Sequence, residues 1–286
     1  LKTRFCYLLS VCSLIFTSCN VFNRNEEIPA FVSIPKYSVS LTSDTSFVSD
    51  IGIKSVWVYQ NEDYQGTYDA PARFPILNTD KKIITLRGGV YENGLSAFQM
   101  PYPFWQPVVY SANLIPGETV TFEPVFTYLP NISYPLNEGF ENSDVRMEPF
   151  GLAPDTASIV RTVTDKYQGN YSGFVQFDSL RKLFEVQGTD SYVLPGAGSQ
   201  VWIEITFKSE LEMQAGLVYT SGTTVKVINK VTLLPKSEWT TIYLNMTPDV
   251  TNAPDDAKFR IYFRADGGGA TRTLNLDNLK VLHFTP

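Results

Sequence analysis

A chain of 286 residues with 23 Lys and Arg against 29 Asp and Glu has a formal net charge of −6, and it contains one histidine and three cysteines. The acidic balance speaks against nucleic acid as a partner and against adsorption to an anionic lipid surface. The single histidine, His283, excludes His-based catalytic triads and multi-His metal centres.

The chain opens with two basic residues, Lys2 and Arg4, followed by an apolar run from Phe5 to Phe16 and small Thr17 and Ser18 directly before Cys19. The apolar run falls short of the roughly 20 residues that a spanning helix needs. The pattern resembles the lipobox of a Bacteroidota-type outer-membrane lipoprotein. The resemblance implies a signal peptide over residues 1–18, lipidation of Cys19, and a lipid-anchored protein at the outer membrane, with the cell surface favoured over the periplasmic face. Cys6 and Cys12 would leave with the signal peptide, so no thiol would remain for a disulfide, a metal site or a nucleophile. Residues 19–30 then read as a polar lipidated tether carrying Glu26 and Glu27.

Beyond residue 30 short apolar/polar alternations are bounded by Gly, Pro, Asn and Asp, and no long helical period occurs. The expected fold class is all-β: two successive β sandwiches, over residues 31–129 and 137–286, joined by a linker at 130–136 that contains Pro130 and Pro135. In the first unit strands are expected near 32–41, 53–60, 64–68, 82–88, 107–113 and 119–128. Its centre places a strand, an Asn61-Glu62-Asp63 turn, a short return to Tyr68 and a Pro-bounded strand in order. That order resembles the PEGA and related immunoglobulin-like modules of bacterial envelope proteins, which implies a spacer or interaction platform. Gly88-Gly89 and Asn93-Gly94 are expected to mark turns.

The segment from Met100 to Pro107 interleaves three prolines with Tyr102, Phe104 and Trp105. Proline keeps this backbone extended and short of donors, so the rings project to alternate sides. Two readings stand: the rings plug the end of the sandwich or pack on the second domain, or Tyr102, Phe104 and Trp105 form an exposed partner-binding loop.

In the second unit alternation separates two faces. Val201, Ile203, Ile205 and Phe207 point one way, and Trp202, Glu204, Thr206 and Lys208 the other. Phe259, Ile261 and Phe263 leave Arg260, Tyr262 and Arg264 outside, and Ile242, Leu244 and Met246 leave Tyr243 and Asn245 outside. Flat rings beside planar charged groups suit the apolar faces and hydroxyls of sugars. The expected ligand-binding set is therefore Trp202, Tyr243, Arg260, Tyr262 and Arg264. The alternative is that the rings cover an interdomain contact and that the strands lie in different sheets.

An opening Gly139-Phe140-Glu141, a strand near 167–177, a Trp at 239 and a closing Asp277-Asn278 stand in the order found in galactose-binding-like jelly rolls, many of them carbohydrate-binding modules, which the unit resembles. The resemblance implies a jelly roll, a core position for Trp239, and a structural Ca2+ held by Glu141 and Asp277 with backbone carbonyls. The other reading of these carboxylates is that they only cap turns or bind backbone amides. No phosphate loop or dinucleotide fingerprint occurs, and Gly267-Gly268-Gly269 reads as a hairpin turn. The expected function is non-catalytic: a membrane-anchored lipoprotein that binds glycan through the outer face of the jelly roll. The alternative is an accessory protein-binding subunit of an outer-membrane uptake, gliding or secretion complex.

Overall fold

The computed structural model describes residues 27–285 apart from 41–46, 49–51, 70, 78–79 and 152–154. Cys19 and the signal-like segment lie outside the described residues. Among the described residues the fold is nearly all β, with one short helix, α1 (Thr247–Thr251).

The first domain contains β1 (Ala30–Ile34), β2 (Ser38–Ser40), β3 (Phe47–Val48), β4 (Ser55–Gln60), β5 (Asp63–Asp69), β6 (Ala72–Ile76), β7 (Asp80–Tyr91), β8 (Gln99–Pro101), β9 (Val108–Leu114), β10 (Thr119–Thr121) and β11 (Val125–Thr127). Three small sheets result: β10-β1-β6, β11-β2-β3, and β5-β4-β7-β8 with β9 also on β7. Alternation decides what is buried, so Val56 and Val58 of β4 and Ile84, Leu86 and Val90 of β7 meet Val32, Phe74 and Phe126 in one core. Asn61 and Glu62 form the expected tight β4–β5 turn, both at positive φ. Gly88 and Gly89 are not turns. They sit within β7, where a Cβ on Gly88 would lie 2.8 Å from the Trp105 ring and one on Gly89 2.3 Å from Ser55 Oγ. The chain uses glycine there for close approach. Asn93-Gly94 is a turn, as expected.

The second domain contains β12 (Ile132–Glu138), β13 (Met147–Pro149), β14 (Ile159–Thr162), β15 (Ser172–Phe177), β16 (Leu183–Gly188), β17 (Val201–Ser209), β18 (Met213–Ser221), β19 (Thr224–Leu233), β20 (Lys236–Asn245), β21 (Lys258–Asp266) and β22 (Arg272–Phe284). A six-stranded sheet, β14-β15-β22-β17-β20 with β12 also on β22, packs on a five-stranded sheet, β13-β16-β21-β18-β19. The chain crosses repeatedly from one sheet to the other, which buries Ile203, Ile205, Phe207, Leu217, Ile261, Phe263, Leu276 and Val281 between them. Two sequence expectations are corrected here. The stretch 130–136 is not wholly linker, because β12 begins at Ile132 and pairs with the last strand. Gly267 to Gly269 do not make a hairpin: β21 and β22 belong to opposite sheets, and the glycines carry the chain between them.

Candidate functional site

The five residues expected to bind ligand divide between two sheets. Trp202 on β17 and Tyr243 on β20 project from the six-stranded sheet, whereas Arg260, Tyr262 and Arg264 on β21 project from the five-stranded one. Each side chain leaves its strand on the side away from the sandwich core, as alternation requires. The two outer faces lie on opposite sides of the domain, so these five residues cannot form one site.

The outer face of the six-stranded sheet is covered by the first domain. Trp202, Tyr243 and Leu282 are fully buried and belong to the hydrophobic cluster of the first domain. Tyr102 stands edge-on to Trp202, with ring centroids 5.5 Å apart, and lies 4.7 Å from Tyr243. Trp105 meets Tyr243 at 5.8 Å, and Phe104 meets Phe284 at 4.7 Å. The rings of the proline-rich segment are thus packed against the second domain of their own chain, not exposed to an outside partner. The Trp202 ring likewise has no face open to a ligand, and Tyr243 is buried beside it.

An ion pair lies within this seam. Lys280 Nζ sits 2.8 Å from Glu204 Oε2, and both side chains are nearly inaccessible. Tyr102 donates to Glu204 Oε1 at 2.7 Å, and Tyr128 donates to both Glu204 oxygens at 2.9 Å. Burial first, and then the Glu204 charge, hold both phenols far above their usual range, so each remains a proton donor. A buried charge is tolerated only when paired and hydrogen-bonded, and here each partner comes from a different strand or loop. Further along, Asn93 N donates to Tyr243 O, Asn245 N to Asn93 Oδ1 and Asn245 Nδ2 to Glu92 Oε1. The turn after β7 thereby caps the exposed edge of β20, an edge that would otherwise present unpaired backbone groups.

The outer face of the five-stranded sheet is buried at its middle, at Tyr262 and Val218, and half-exposed along the row of Glu185, Arg264 and Gln214. Its register places Glu185, Arg264, Gln214 and Thr232 in one row across four strands. A second row holds Glu148, Gln187, Tyr262, Gly216 and Asn229, and a third Arg260, Val218 and Val227. The middle of this face depends on a bulge. β19 gains a residue opposite β18 between Ala215 and Gly216, and a Cβ on Gly216 would lie 2.0 Å from Ile228 O. Only glycine admits the bulged strand at that distance.

Two of the three predicted residues on this face are committed within the protein. Arg260 Nη1 contacts Glu148 Oε1 at 2.7 Å and the Gly188 and Thr189 carbonyls at 2.9 and 2.8 Å. Tyr262 donates to Glu185 Oε1 at 2.6 Å and is covered edge-on by Phe150. Its phenol is raised by burial and then by Glu185, and its ring offers no stacking surface. Arg264 differs: among the described residues its half-exposed guanidinium makes no side-chain hydrogen bond or ion pair. Beside it stand half-exposed Gln214 and Glu185, with Gln187 on the neighbouring row. Phe150, Gln187 and Gln214 were not among the sequence candidates. The alternation of β18 marks Gln214 as outward, but no local pattern places Phe150 over β21.

Glu141 and Asp277 do approach the same loop. Asp277 Oδ2 accepts from Tyr167 N at 3.1 Å and Gln168 N at 3.0 Å, and Oδ1 accepts from Asn278 N at 2.8 Å. Glu141 Oε1 accepts from Asn170 N at 2.7 Å and Tyr171 N at 3.0 Å, and Oε2 accepts from Asn170 Nδ2 at 3.3 Å. Among the loop carbonyls, Asp165 O accepts from Ser172. These carboxylates face N–H donors, whereas a calcium ion takes six to eight oxygens, so the arrangement does not fit the ion. It is the amide-binding alternative, and among the described residues no cluster of three or more His, Cys, Asp and Glu side chains forms. Burial, helped by the Glu141 charge, pushes the Asp277 carboxyl up to about 6 against the pull of its three amide donors. Trp239 is a further correction. It is half-buried outside the core, and its Nε1 donates to Asp165 at 2.9 Å.

No protein-family model matches the sequence, and no curated protein matches it. Solved structures similar in fold outline include carbohydrate-binding modules. One, a C-terminal family 22 module from Clostridium thermocellum, is 18% identical over 53% of this chain and 94% of its own, with a TM-score of 0.38. A second, from a study of promiscuous specificity in modules of the β-sandwich superfamily, is 14% identical over 91% of this chain and 99% of its own, at 0.41. A third, a family 61 module solved with β-1,4-galactotriose, is 15% identical over 50% of this chain and 92% of its own, at 0.34. These scores are too low to transfer a ligand, so function is read from the side chains of this chain.

Proposed function

We propose that this chain is a lipid-anchored envelope protein that binds glycan, without catalysis, through the outer face of the five-stranded sheet. The observation that carries the reading is the half-exposed row Glu185, Arg264, Gln214 on the outer sheet face, with the Arg264 guanidinium unpaired among the described residues. Adjacent strands lie about 4.8 Å apart, so three side chains in register span roughly 10 Å, about two sugar rings. Planar guanidinium, amide and carboxylate groups present fixed donors and acceptors to ring hydroxyls. Phe150 and Val227 supply the apolar surface against which sugar C–H groups pack.

The anchor belongs to the same proposal. Cys19 would carry the lipid, and the two domains, joined by a buried ion pair and a shared aromatic cluster, would hold the five-stranded sheet at a fixed attitude to the tether. A polysaccharide array probed with the protein from Asn20 onward tests the binding. Capture of a glycan by the wild type, lost in Arg264→Ala with Gln214→Ala, supports it; no capture, or capture unaffected by the pair, refutes it. Release of Cys19→Ala from the membrane fraction tests the anchor.

A further inference from the structure

We propose that the cleft between the two domains, beside the uncapped part of the β20 edge, binds a small sugar acid: a polyhydroxylated ring carrying one carboxylate. The turn at Glu92 to Gly94 covers β20 only near Tyr243 and Asn245. Next to that contact the domains part and leave a cleft of about 250 Å³. Glycines on the first-domain wall let it approach β20 closely at the rim of this cleft. Gly52 has φ +74°, and a Cβ there would lie 3.0 Å from Thr241 O and 3.4 Å from the Tyr243 ring. Gly94, at φ +73°, faces Ile242.

The charge of this cleft runs against that of the chain. Lys54 comes from one domain and Lys236 from the other, and among the described residues the lining holds no carboxylate although the chain is acidic overall. Lys208, Lys230 and Lys280 of the second domain are each paired with a carboxylate. Among the described residues Lys54 and Lys236 make neither an ion pair nor a side-chain hydrogen bond. Two unpaired ammonium groups at one small cleft match an anion. The hydroxyl groups of the lining are those of Tyr91, Ser96, Thr240 and Thr241, of which Thr240 already donates to Glu238 O and Thr241 shares a hydrogen bond with Thr206. The Tyr91 and Ser96 hydroxyls match ring hydroxyls, and a cleft of about 250 Å³ has room for a ring that a simple inorganic anion would not fill. A neutral sugar leaves the ammonium groups unmatched. The sugar acid satisfies both sets. This site is separate from the outer face of the five-stranded sheet and uses none of its residues.

The test is a titration of the two-domain protein, labelled at isoleucine methyl groups, with sodium glucuronate, glucose or sodium sulfate at matched ionic strength. Ile242 lies in the cleft wall, and Ile261 in the core between the sheets is the control. Glucuronate is expected to shift the Ile242 methyl saturably and leave Ile261 unmoved, with glucose and sulfate each weaker by about tenfold or more. Lys54→Gln with Lys236→Gln should abolish the effect while the rest of the spectrum superimposes. No saturable shift with glucuronate, equal affinity for sulfate, or unchanged affinity in the double variant overturns the proposal. Arg264→Ala leaves this titration unchanged, so failure here is distinguishable from failure of the sheet-face reading.

Discussion

Glu204→Gln isolates what joins the two domains. The side chain keeps its shape and one carbonyl oxygen for Tyr102 and Tyr128, but Lys280 is left as an uncompensated ammonium that is 11% exposed. Removing one partner of a buried pair costs about 3–5 kcal/mol, a large share of the roughly 5–15 kcal/mol that holds a domain folded. Lys280→Met strands the Glu204 charge in the same way, although the two phenols still donate to it. Combining both substitutions leaves no buried charge, so the double variant should cost at least about 2 kcal/mol less than the sum of the singles. Urea unfolding followed by tryptophan fluorescence and far-ultraviolet circular dichroism measures all three. In the wild type the two signals should coincide in one transition, because Trp202 and Trp105 lie in the seam. In Glu204→Gln they should separate as the domains uncouple. A cost below about 1 kcal/mol, or strict additivity with Lys280→Met, refutes this account of the seam.

Three further outcomes follow from the same geometry. Gly216→Ala forces a methyl into the space of Ile228 O and should cost about 1–3 kcal/mol by thermal melting; a change within 0.5 kcal/mol, taken as roughly the scatter of ordinary surface substitutions, would mean the bulge is not needed. Asp277 is raised to about 6 from 3.8, so between those values the native state keeps a proton that the unfolded chain has released. Its contribution is present below about pH 4 and is lost as pH rises to about 6, a change on the order of 3 kcal/mol; the urea midpoints of wild type and Asp277→Asn should diverge in slope across this range, and parallel slopes contradict it. A chelator should leave the wild-type melting temperature unchanged, because the Glu141 and Asp277 oxygens accept from backbone amides; a drop reversed by calcium would place an ion there.

The face of each strand was legible in the sequence, because a period of two is a local property. Val201, Ile203, Ile205 and Phe207 are core, and so are Phe259, Ile261 and Phe263, as alternation requires. Sheet membership was not legible, since it depends on pairings between residues as distant as Arg264 and Gln214 or Trp202 and Leu282. That single missing fact merged two opposite faces into one expected site. The aromatic loop at Tyr102 to Trp105 was legible as extended, but whether its rings met solvent or protein turned on the docking of the second domain. Trp239 illustrates the limit of resemblance: its motif position matched, yet its indole bonds Asp165 outside the core.

The most direct measurement of the central claim is the affinity of one captured glycan for the wild type, Arg264→Ala and Trp202→Phe by isothermal titration. Binding through the five-stranded sheet predicts a loss of about tenfold or more in Arg264→Ala and wild-type affinity in Trp202→Phe, whose ring is sealed in the seam. The reverse pattern, intact binding in Arg264→Ala and loss in Trp202→Phe, would contradict the account and place the ligand against the six-stranded sheet.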